Sequence, residues 1–108
     1  MEVKRILTDA GFVEDVTFRE TRFVKPPRQT YALYLRSYTS RGSDQQNLVR
    51  DCTTTIELYS YVADPDAEAR IEAELDNRGI EYRKDDRYWI QEEQLYQVVY
   101  TVDHTEKI

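Results

Sequence analysis

The sequence predicts an α+β domain, a small mixed or antiparallel sheet of about four to five strands flanked by an N-terminal helix and a central helix. Three observations predict it. Tyr31 to Tyr38 (YALYLRSY) and Thr53 to Val62 (TTTIELYSYV) alternate their side chains with period two. Asp64 to Arg78 carry a capped helical stripe, and the residues after Gly79 return to strand-forming Tyr, Trp and Val. A chain of 108 residues holds one domain, residues 1–108, with room for a single core.

The N-terminal segment places Val3, Ile6, Leu7 and Ala10 on one helical face, and Gly11 follows as a left-handed stop. A helix of about two to three turns is marginal alone and must dock on the sheet. Between Phe12 and Thr30 the pattern is weaker: VTFRETRFV alternates roughly, and Pro26-Pro27 ends any regular element, so a strand or an irregular arm is expected. The cations beside Phe18 and Phe23 permit a nucleic-acid reading, but two Phe residues five apart fit core anchors better.

In the first long strand Tyr31, Leu33 and Leu35 share one face, and Ala32, Tyr34, Arg36 and Tyr38 the other. In the second, Ile56, Leu58, Ser60 and Val62 oppose Thr55, Glu57, Tyr59 and Tyr61. The polar stretch between them offers little to bury, and a loop of about a dozen residues that orders on a partner is expected there. Its centre, Arg41, Gly42, Ser43, Asp44, Gln45, Gln46 and Asn47, is the candidate assembly interface.

For the central helix, Asp64 is the N-cap, Pro65 suits the first helical position, Asp66 and Glu68 favour the positive end, and Gly79 sits at the stop. Ala67, Ile71 and Leu75 form its apolar stripe, and Glu74 is placed to pair with Arg78. Its carboxylates at 68, 72, 74 and 76 read as a solvated face and not as metal ligands. After Gly79, IEYRKDDRYWI reads as one strand, or two short ones broken at Asp85-Asp86. In LYQVVYTVD, Tyr96, Val98, Tyr100 and Val102 share a face while Leu95 and Val99 make the other apolar too, so this strand is expected to be central or covered by another layer, in part from a neighbouring subunit.

Catalysis is not expected. His104 is the only histidine and no nucleophile-elbow or phosphate-loop motif accompanies it. Cys52, the only cysteine, excludes an internal disulfide and reads as a structural thiol distant in sequence from that histidine. No cofactor and no metal site is expected. The absence of any apolar run of about 20 residues and of a secretory start points to a product of the cytosol.

The formal charge of -6 is unevenly spread. Residues 18–50 carry seven basic side chains against Glu20 and Asp44, a balance of +5, whereas residues 51–108 carry six against fifteen acidic ones, a balance of -9. Such a split lets the basic region of one subunit meet the acidic region of the next, a head-to-tail contact that can close into a ring.

The succession PPRQTYALYL, RGSDQQNLVRD, TTIELYS, AEARIEAELD and YWIQEEQLYQVVYTVDHTEKI, from Pro26 to Ile108, resembles small proteins encoded in the tail modules of bacteriophages and prophages of Gram-positive bacteria. These are similar to tail terminator or head-tail joining proteins, in which a small mixed sheet flanked by helices assembles as a hexameric ring. The resemblance implies a homo-oligomer, possible as a monomer in isolation, with the tail tube protein and the head connector protein as partners, and DNA met only as the passing genome. It places the protein in the host cytoplasm during assembly and then in the virion tail. A neck adaptor on the head side, or an acidic host-interacting mimic of DNA, are the alternative readings.

Overall fold

The computed structural model describes residues 1–43 and 46–107, without the side chains of residues 43–48. Two helices and six strands follow the order α1 (Val3–Asp9), β1 (Phe18–Glu20), β2 (Tyr31–Ser43), β3 (Gln46–Ser60), α2 (Pro65–Asn77), β4 (Arg83–Lys84), β5 (Tyr88–Ile90) and β6 (Leu95–Lys107). The strands form one mixed sheet in the order β1-β2-β3-β6-β4, with β5 also paired to β6. Among the paired strands of the described residues, β1 and β2 alone run parallel. The α+β class is as the sequence predicts, and the break at Asp85-Asp86 does separate two short strands.

Both helices pack on one face of the sheet. Val3, Ile6, Leu7 and Ala10 of the first helical segment, and Ala67, Ile71 and Leu75 of α2, close over Ala32, Tyr34, Ile56, Leu58, Val98, Tyr100 and Val102. Gly11 takes φ +100°, the left-handed geometry that ends α1. Phe12 and Phe18 enter the same core, so the irregular segment before β2 is anchored by aromatic rings. On the opposite face lies a smaller cluster of Tyr31, Leu33, Tyr59 and Leu95, with Phe23 and Ile90 packed against it. The second apolar face expected for β6 is therefore partly met from within the chain.

Asp64 caps α2 as expected: its carboxylate accepts from the Ala67 N–H at 3.0 Å and from the Thr30 hydroxyl at 2.7 Å. The Thr30 hydrogen bond, with that from Ala67, outweighs burial and holds the Asp64 carboxyl below its ordinary value. Arg78 pairs with Glu74 at 2.6 Å and also reaches Asp9 at 2.6 Å, tying the end of α2 to the end of α1.

Glu68 departs from the expected solvated face. It is 4% exposed, with Lys84 at 2.9 Å and Arg87 at 2.8 Å on its two oxygens. The physical reason is that β4 and the segment before β5 fold back over the first turns of α2 and carry both cations. Burial pushes this carboxyl up, but the hydrogen bonds and charges of Arg87 and Lys84 outweigh it and leave it below its ordinary value. Lys84 also meets Glu72 at 2.8 Å, and Glu72 accepts from the buried Tyr100 hydroxyl at 2.8 Å.

Candidate assembly surface

The largest departure from the sequence reading lies between the two long strands. The expected dozen-residue loop is instead strand: β2 and β3 pair continuously from Tyr31↔Tyr59 to Arg41↔Val49, and Ser43 pairs with Gln46 after an irregularity at Gly42. Gly42 has φ +141°, a conformation that favours glycine. Polar composition misleads here because the described side chains from Tyr38 to Gly42 are exposed on both faces. Period-two hydrophobicity is a burial signal, and a strand wet on both faces does not show it. At the other end Tyr61 and Val62 fall outside β3, with Val62 77% exposed as the chain turns toward α2.

Beyond the core rung Arg36↔Thr54↔Val102, strands β2, β3 and β6 project as a three-stranded arm, which gives the chain its 50 × 30 × 25 Å shape. Length explains this directly: 13 strand residues span roughly 43 Å at about 3.3 Å each, while 13 helical residues span only about 20 Å. The helices therefore cover the base and leave the arm bare.

Of the candidate interface residues, Arg41 lies on the arm with its Nε 2.5 Å from Asp51 on β3. That hydrogen bond is the main reason the Asp51 carboxyl is held below its ordinary value, with help from the Thr105 hydroxyl at 3.2 Å. Gly42 and Ser43 end β2, Gln46 and Asn47 begin β3, and Asp44 and Gln45 lie outside the described residues. The arm thus brings Arg41 and Gly42 to its far end.

Backbone direction identifies which groups the arm offers. The Ala32 N–H donates to the Thr17 carbonyl and the Tyr34 carbonyl accepts from Thr21, so even-numbered residues of β2 turn their backbone groups away from β3. Past Tyr34, where β1 stops, the outward groups are those of Arg36, Tyr38 and Ser40. On the other side the Val99 carbonyl accepts from Asp85, so odd-numbered residues of β6 face outward. Past Thr101, where β4 stops, these are Asp103, Thr105 and Lys107. Among the described residues, nothing pairs either edge over these stretches. Unpaired strand edges are templates for another chain.

The face of the arm opposite the helices is lined by hydroxyls and carboxylates, with Thr53 donating to Asp103 at 2.7 Å. At its base an aromatic cleft of about 520 Å³ is bordered by Phe23, Tyr31, Tyr59 and Tyr61. Tyr31 and Tyr59 stack at 5.2 Å, and burial, the main cause, pushes the Tyr31 phenol up to about 12.

No family model matches the chain, and no curated protein matches it either. The arm itself must carry the functional argument. Among the described residues, no helix is long and apolar enough to cross a membrane.

The helix-side face of the arm holds an arrangement that sequence distance concealed. Cys52 and His104 are direct partners across β3 and β6, with Glu106 one rung further along against Arg50. The parity that puts Val98, Tyr100 and Val102 on one face already places His104 with them; the missing information was the register of β3 against β6.

Proposed function

We propose that this chain is a structural subunit of a phage tail, one member of a ring that caps the tail tube and joins it to the head connector. The observation that carries the reading is the pair of free edges on one arm, three outward backbone positions on β2 facing one way and three on β6 facing the other. Such edges are heterologous: β2 of one subunit fits β6 of the next, and repetition about an axis along the arms closes a ring.

Strand direction favours the ring over a two-fold dimer. Both β2 and β6 run antiparallel to β3, so they are parallel to each other. A cyclic assembly about an axis along the arm keeps that direction and joins β6 to the neighbour's β2 in parallel, whereas a dimer must pair one edge with itself. Charge agrees with this pairing. From Tyr31 to Ser43, β2 carries Arg36 and Arg41 and no acid, while the free stretch of β6 carries Asp103 and Glu106 against Lys107.

In that ring the helices pack outside and the bare face of the arms looks inward, presenting Thr53 and Asp103, Arg41 held by Asp51, and, by strand parity, Lys107. Incubated with tubes of the tail protein from the same module, the purified chain is expected to appear by electron microscopy as a ring on one tube end and to stop elongation. Tubes that keep growing with bare ends in excess chain would contradict the reading.

A further inference from the structure

Among the described residues, two buried side-chain polar atoms lack a partner, Arg50 Nε and His104 Nδ1, and both residues line the same small cavity of about 210 Å³ on the helix-side face of the arm. Buried polar atoms are paired in the large majority of cases, so two orphans in one cavity call for a common cause. The same cavity is lined by Cys52 and Glu106. One donor atom from each of Cys52, His104 and Glu106 lies within 4.8 Å of the others. We propose that Cys52, His104 and Glu106 form a site for a divalent transition-metal ion of the zinc class, with a fourth position open to an anionic ligand beside Arg50.

The donor chemistry selects the ion. Thiolate and imidazole bind zinc-class ions and are poor ligands for magnesium or calcium, and three protein ligands with one open position is an established zinc arrangement. Donors around one tetrahedral zinc stand roughly 3.3–3.7 Å apart, so closure asks for side-chain rotations of about 1 Å. The backbone already sets the approach, since Cys52 and His104 are a cross-strand pair and Glu106 follows His104 on the same face. At present His104 Nε2 meets Glu106 Oε1 at 3.1 Å, and among the described residues Nδ1 has no hydrogen-bond partner, so binding an ion there would break no existing bond of that nitrogen.

Charge defines the fourth ligand. A thiolate and a carboxylate neutralise a divalent ion, and Arg36 and Arg50 then leave the cavity positive. The Arg50 guanidinium is held 4.4 Å above the Tyr38 ring, with its Nε lacking an acceptor. A hydroxide or small oxyanion on the metal supplies that acceptor. This site does not rest on the ring reading, and its failure would leave that reading intact.

The test uses the full chain, stripped with chelator and titrated with cobalt(II) in a thiol-free reductant. One cobalt per chain is expected, with a thiolate-to-metal charge-transfer band that zinc abolishes by displacement and Cys52→Ser lacks. His104→Gln and Glu106→Gln are expected to weaken binding at least about tenfold. Saturating cobalt without a thiolate band, or wild-type affinity in both latter variants, would overturn the site. If circular dichroism shows a variant to be unfolded, the wild-type chain decides: zinc is expected to slow alkylation of Cys52 at least about tenfold, and an unchanged rate overturns the proposal.

Discussion

Ser40→Pro is expected to abolish head-tail joining while leaving the isolated chain folded. Ser40 is exposed, and its N–H points away from β3, so proline removes no hydrogen bond of the ladder inside the subunit. Edge positions of this kind tolerate proline, and the preceding Thr39 is already extended, as proline requires. The expected cost to the monomer is below about 1 kcal/mol, a few degrees in Tm. Between subunits the same change removes a donor and puts a ring against the incoming strand, about 1–3 kcal/mol at each interface and repeated around the assembly. Thr105→Pro on the opposite edge is expected to give the same loss, and Ser40→Ala neither. Complementation of a deletion by plasmid-borne variants checks this by counting joined virions. Normal yields from both proline variants would show that the edges do not mediate assembly.

The second large effect lies in the base. Glu68→Ala removes the acceptor shared by Lys84 and Arg87 from a site that is 4% exposed. Lys84 keeps Glu72, and both cations are over a third exposed, so they regain water in part. The expected loss is about 2 kcal/mol, less than the 3–5 typical of fully buried pairs. The pH dependence has a definite sign. Because the folded Glu68 carboxyl lies below its ordinary 4.5, its contribution is complete above that value and is lost as pH falls through the lower folded one. Urea midpoints of wild type and Glu68→Gln should therefore differ at pH ~7 and converge toward pH ~3. A gap of constant size across that range would show that the Glu68 charge contributes nothing.

What could be read from the sequence depended on whether a signal was local. Asp64, Pro65 and the Ala67, Ile71, Leu75 stripe identify α2 because capping and helical periodicity involve residues within a turn or two. The alternating faces of β2 and β3 were legible where one side is buried, and illegible toward the end of β2, where Tyr38 to Gly42 are exposed on both faces. Glu68 looked like any acid on a helix surface because Lys84 and Arg87 reach it only through the return of β4 and β5. The Cys52 and His104 pair, and the two free edges, depend on sheet order and register, which no single strand encodes. For the candidate interface, Arg41 and Gly42 lie on strand β2 and not in the expected loop, and the outward backbone groups of Arg36, Tyr38, Ser40, Asp103, Thr105 and Lys107 could not be read from side-chain type.

The central claim is that this chain ends the tail tube and joins it to the head. Electron microscopy of lysates from a phage or prophage carrying the gene, with the gene deleted, tests it most directly. Unattached heads beside tails longer than those of the parent are predicted. Unattached heads with tails of parental length would move the protein to the neck, and complete virions in normal numbers would contradict the account.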